Sequence, residues 1–107
     1  MSRNLYIVPH DLTEVGNTAL DYALFLGTHV RTDIMLLHLV DNKAKIAATE
    51  AKLWDIVKSK TVPSNVEMFV LVTVGDIFTD INKIANREHA QLILMGTHGA
   101  KGFQKLT

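Results

Sequence analysis

Leu5-Tyr6-Ile7-Val8 runs straight into Pro9-His10-Asp11-Leu12-Thr13: four apolar residues without a break, then a polar turn. A strand with one face in water alternates apolar and polar residues, so continuity predicts a strand covered on both faces. Thr13 is suited to cap a helix, its hydroxyl accepting from an orphan N–H of the first turn. Val15, Ala19, Tyr22, Ala23 and Leu26 follow at helical spacing and predict the stripe that lies on the sheet. Gly27 or the segment after it ends that helix.

Outward from this unit, strand and helix keep alternating. Ile34 to Val40 is apolar except for His38 and predicts the second strand. Asp41 is expected to cap a helix that turns Ile46, Leu53, Trp54 and Val57 inward and leaves Lys43, Lys45, Lys52 and Lys58 in water. Pro63-Ser64-Asn65 marks a turn. Val66 to Val74 predicts the third strand, and Asp76 after Gly75 is expected to cap a helix burying Ile77, Phe78, Ile81, Ile84 and Ala85. Leu92 to Met95 predicts the fourth strand. The order βα, βα, βα, β means an α/β fold: a parallel sheet with helices on both faces, joined by right-handed crossovers. Ligands of such sheets sit beyond the carboxyl ends of the strands, where the strand order reverses. That edge collects Pro9-His10-Asp11, Val40-Asp41, Gly75-Asp76 and the loop after Leu94.

The length of 107 residues suits one domain, residues 1–107, without linker, repeat or low-complexity segment. Hydrophobic residues at 48% and charged residues at 21% are the proportions of a folded globular protein. Eleven basic residues balance eleven acidic ones, so no net field draws the chain to nucleic acid or to acidic membranes. The lysines around the second helix read as a solvated face, with no aromatic interleaving to suit a nucleic acid. Cysteine is absent, which rules out disulfides and thiolate metal sites and gives no support to secretion. No stretch resembles a signal peptide or a membrane span, and a cytoplasmic protein is the expectation.

The loop Gly96-Thr97-His98-Gly99-Ala100-Lys101-Gly102 is the most site-like stretch. Glycine lets a ligand touch the main chain, and successive exposed N–H groups form an anion-sized concavity. Other phosphate sites are excluded by residue type. The turn after the first strand lacks G-x-G-x-x-G, and no G-x-x-x-x-G-K-[ST] occurs. A phosphoacceptor receiver would need paired acids after the first strand and an aspartate ending the third, where Thr73-Val74-Gly75 stands instead. Ser2, Ser59 and Ser64 lie outside any strand-to-helix elbow, and no catalytic residue is assigned.

Four segments together, Ile7-Val8-Pro9-His10-Asp11-Leu12-Thr13, Leu36-Leu37-His38-Leu39-Val40-Asp41, Val74-Gly75-Asp76 and Leu92-Ile93-Leu94-Met95-Gly96-Thr97-His98-Gly99, resemble the successive signatures of the universal stress protein family, in order and spacing. The resemblance implies a Rossmann-like, adenine nucleotide alpha hydrolase-like fold of five strands that binds ATP in its nucleotide-binding branch. The residue matching Asp11 and the strand-end backbone matching Leu39 face the adenine; the loop matching Met95, Gly96 and Gly99 approaches ribose and phosphates. Pro9, His10, His98, Lys101 and Gly102 are further candidate contacts on the same rim. The branch's pattern is G-x2-G, nine residues, then Gly followed by Ser or Thr, and counted from Gly96 and Gly99 that last pair falls past Thr107. The chain is therefore expected to be the N-terminal part of such a domain, with four strands and three helices present and the fifth strand and last helix missing.

The function implied is that of an ATP-binding regulator or sensor in stress response, with or without Mg2+, and at most a slow ATPase. A homo-oligomer or a tandem-domain partner is expected, because the fourth strand is left as an open edge. The rival is an interaction module of the same fold that binds no nucleotide and works through dimerisation or partner proteins. At single residues the plainer readings stay beside these: Asp11 and Asp76 as helix caps, His10 and His38 as hydrogen-bonded histidines, Trp54 as packing.

Overall fold

Three helices pack on a four-stranded sheet in the computed structural model, which describes residues 4–96. The elements are β1 (Asn4–Pro9), α1 (Glu14–Gly27), β2 (Thr32–Val40), a 3-10 turn (Lys43–Lys45), α2 (Ile46–Lys58), β3 (Val66–Val74), α3 (Ile77–Arg87) and β4 (Leu92–Ile93). All strands run parallel in the order β3-β2-β1-β4, with Ile7 opposite Met35 and Ile93, and Met35 opposite Phe69. The order reverses between β1 and β4. The three crossovers are helical, as parallel pairing requires.

Period-two geometry sorts the strand side chains onto two faces. Val8, Ile34, Leu36, Val66 and Val72 join Leu20, Ala23, Leu24, Leu53 and Val57 in one core, under α1 and α2. Ile7 and Leu37 join Ile84 in the other, under α3, with Met35, Leu39, Leu71, Ile77, Ile81 and Ile93 packed around them. Two helices thus cover one face and a single helix the other. Phe69, on the α3 face at the far edge, stays 39% exposed as a result.

The predicted strands and caps stand close to where the sequence places them. Thr13 caps α1 by accepting from the Val15 N–H, and Asp76 caps α3 by accepting from the Phe78 N–H. Four expectations are corrected. The buried stripe of α1 is Gly16, Ala19, Leu20, Ala23, Leu24 and Gly27, and Tyr22 lies outside it, stacked on Phe25. Small residues let the helix sit close to the sheet: a Cβ on Gly27 would overlap the Val66 side chain. Asp41 caps nothing. Asn42 caps the 3-10 turn through the Ala44 N–H, and Asp41 pairs with Lys45 at 2.8 Å. Trp54 and Phe78, expected inside, are exposed. The fourth strand is two residues long, although the Leu94 N–H still donates to the Ile7 carbonyl at 2.9 Å.

Among the described residues, no helix is long and apolar enough to cross a membrane.

Candidate functional site

The turn after β1 is built around a buried histidine. His10 is 2% exposed, its N–H donates to the Leu37 carbonyl at 2.9 Å, and its own carbonyl accepts from His38 Nδ1 at 2.7 Å. Its ring is fixed at both nitrogens: Nδ1 accepts from the Leu12 N–H and Nε2–H donates to Asn17 Oδ1, each at 2.9 Å. That pattern requires the neutral Nε2–H tautomer. The ring holds Leu12 in the left-handed region, at φ 67°. Asp11 next to it accepts from the Thr13 N–H at 3.0 Å and from the Thr13 hydroxyl at 2.5 Å, an Asx turn that leads into the Thr13 cap.

Gly16 permits this arrangement. A Cβ there would stand 2.7 Å from His10 Nδ1 and 2.8 Å from its Cε1 and Cγ. In an open helix interior Gly→Ala gains about 1 kcal/mol. Here the ring is pinned at both nitrogens and cannot retreat, so Gly16→Ala is expected to destabilise the fold by about 1–3 kcal/mol, the usual scale for overpacking. A falling thermal midpoint in circular dichroism is the check; a rise would show that the ring has room to move.

The end of β4 comes to the same place. Gly96 packs on the first turn of α1 so tightly that a Cβ would lie 2.5 Å from the Val15 carbonyl oxygen. Between these segments and the N-terminus of α3 lies a hollow of about 360 Å³ at the carboxyl ends of the strands. Pro9, His10, Asp11, Leu39, Met95 and Gly96, which the sequence nominates, all line it. So do Gly16, Leu37, His38, Gly75, Asp76, Ile77 and Phe78, which it does not nominate as ligand contacts. The paired apolar strand ends and the conspicuous Gly75-Asp76 were the signals for the β2 and β3 members; Phe78 had none, because it reads as one more core residue. His98, Gly99, Lys101 and Gly102 lie outside the described residues.

His10 is the one nominated side chain whose geometry works against ligand contact. Both ring nitrogens and both backbone polar groups are spent within the protein. It shapes the wall. His38, turned onto the His10 carbonyl, braces β2 against the same turn. Among the described residues, no group of three or more His, Asp or Glu side chains is placed to hold a metal ion.

A polar extension of the hollow continues past His38, Leu39 and Gly75 toward Asp41, Lys45 and Thr49. The hydrogen bond and charge of Lys45 hold the Asp41 carboxyl below the usual carboxylate range. A lowered folded-state pKa adds stability above the unfolded value, near 3.9 for an aspartate, and that contribution disappears as pH falls through the folded value. Both groups are in water, so the effect on stability is slight. The cleaner readout is NMR: the Asp41 carboxyl is expected to titrate low, and to move up in Lys45→Met. An unchanged titration would mean that the pair does not form in solution.

A parallel sheet with helices on both faces, and a hollow where its strand order reverses, defines a doubly wound α/β protein, a class whose ligands rest at the topological switch point. The sequence profile of the universal stress protein family matches residues 6–107, and the chain belongs to that family. Three solved structures share the fold. Hypothetical protein MJ0577 is 22% identical with a TM-score of 0.70, over 98% of this chain and 82% of its own. Universal stress protein UspA from Lactobacillus plantarum is 17% identical with a TM-score of 0.67, over 94% and 83%. Protein Rv1636 from Mycobacterium tuberculosis H37Rv is 17% identical with a TM-score of 0.60, over 97% and 82%. No curated protein sequence matches the chain significantly.

Proposed function

We propose that this universal stress protein binds ATP in the crevice and acts in the cytoplasm as a stress-response regulator whose conformation or assembly follows nucleotide occupancy. The observation that carries the reading is the convergence of Asp11, the Leu39 strand end and Met95-Gly96 on one hollow. Its residue types suit an adenosine moiety. Leu37, Leu39, Ile77 and Met95 give the apolar surface that a base needs, and a carboxylate can accept from an exocyclic amine. The backbone at Leu39 can read the edge of the base. Gly96 brings main chain to the rim where a side chain would collide with Val15, which suits a ribose or a phosphate approaching the backbone.

Asp11 is assigned to the edge of the base and the His10 ring is fully hydrogen-bonded within the protein, so the proposal is for binding and signalling, with no catalytic residue assigned. The test is calorimetry of the intact chain with ATP, with and without magnesium, and with adenosine. Saturable binding of both ligands supports the reading; no heat with either overturns it and leaves the interaction module. Light scattering with and without ATP then reads whether copies assemble. An association state that ignores nucleotide would remove the assembly arm.

A further inference from the structure

Phe78 is 88% exposed, while the other exposed large apolar residues among those described lie between 36% and 57%. Single exposed apolar side chains are ordinary on protein surfaces. This one is set apart by its place. It sits in the first turn of α3, where its N–H donates to Asp76 Oδ1 at 2.7 Å, and it lines the crevice together with Ile77. Ile77, Ile81 and Ile84, at helical spacing, pack into the core under α3. Phe78, one residue on, has no part in that core. The cap therefore fixes the backbone of an aromatic residue that is among those lining the hollow and whose side chain is exposed.

We propose that Phe78 is the stacking wall of the crevice, taking the face of a purine base while Asp11 takes its edge. The inference rests on the nucleotide reading above and deepens it by naming the part of the ligand that is recognised. The lining of the crevice supports a flat heteroaromatic occupant. It includes Pro9, Leu37, Leu39, Ile77, Phe78 and Met95, which gain from covering a base and gain nothing from a phosphate. A ring exposed in the free protein loses little on being covered, and aromatic stacking on a base adds both apolar burial and quadrupole complementarity.

The experiment compares wild type, Phe78→Ala and Phe78→Trp with three probes: ATP, adenosine and inorganic tripolyphosphate. Base stacking measured by alanine substitution corresponds to roughly 5- to 150-fold in affinity. Phe78→Ala is therefore expected to weaken ATP and adenosine alike by about tenfold or more, with tripolyphosphate unaffected. Thermal stability should not change, because the side chain is exposed. Phe78→Trp should retain ATP affinity and show fluorescence quenching by ATP beyond that of wild type, whose Trp54 supplies the background. Wild-type binding of ATP with equal affinity in Phe78→Ala would overturn the stacking wall and leave the nucleotide reading standing. An equal loss for tripolyphosphate would overturn it too, since the residue would then act on the site as a whole. Failure of wild type to bind ATP or adenosine would overturn both.

Discussion

Replacing His10 by leucine is expected to lower the free energy of unfolding by about 2–4 kcal/mol, from the usual cost of stranding buried hydrogen-bonding groups. Leucine fills a similar volume but offers the Leu12 N–H no acceptor and Asn17 no donor. Each loss falls at the low end of the range of about 1–3 kcal/mol for an unmatched buried group, because both bonds are only part-buried. A third effect adds to these. Leu12 holds φ 67°, a region that costs a non-glycine residue energy unless the surroundings fix it, and the His10 ring is what fixes it. Against the total of about 5–15 kcal/mol typical of a domain, such a loss is large. Urea unfolding followed by circular dichroism measures it. Asn17→Ala removes only one of the two ring bonds and should cost clearly less; equal costs would mean that Leu12 draws nothing from the ring. The same variant should weaken any ligand that depends on Asp11, because the turn carrying that carboxylate is what the ring holds in place.

Asp11→Asn is expected to weaken ATP binding by about 10- to 100-fold, the equivalent of losing one hydrogen bond to a charged group. The substitution is chosen because it separates two roles. Asn keeps a carbonyl oxygen that can accept from Thr13, and Asx turns form with either residue, so the entry to α1 survives. What changes is the carboxylate, replaced by an amide whose NH2 group cannot accept from an exocyclic amine. Calorimetry should show the affinity falling while the unfolding midpoint stays put. A variant that binds ATP like wild type would place the base elsewhere in the crevice and reduce Asp11 to a turn residue. A midpoint that falls with affinity would show that the two roles cannot be separated at this position. In Asp11→Ala both properties should fall, because turn and carboxylate go together.

The helix capped by Thr13 shows how far local reading reaches and where it stops. Its start was legible because a cap is a local event: a hydroxyl two residues from the N–H it serves. Its buried face was legible at Ala19 and Ala23 but not at Gly16 and Gly27, which carry almost no hydrophobic signal. They lie inward because close approach of helix to sheet is worth more than the bulk that Tyr22 would bring. The histidines make the same point for the site. That His10 and His38 end neighbouring strands could be read from the chain; that one ring is buried in α1 and the other is bonded to a backbone carbonyl could not, since the partners lie 7 and 28 residues away.

By itself the sequence determined the class of fold, the alternation of buried strands with amphipathic helices, the Thr13 and Asp76 caps, and the edge of the sheet on which a ligand would rest. These follow from periodicity and capping, which act within a few residues. Tertiary structure alone decided that β4 joins β1 on the side away from β2, that His10 becomes a structural pin, that Asp41 pairs with Lys45 instead of capping a helix, and that Phe78 is exposed instead of joining the core. Each of those outcomes depends on what packs against a residue from a distant part of the chain, and short-range pattern holds no record of it.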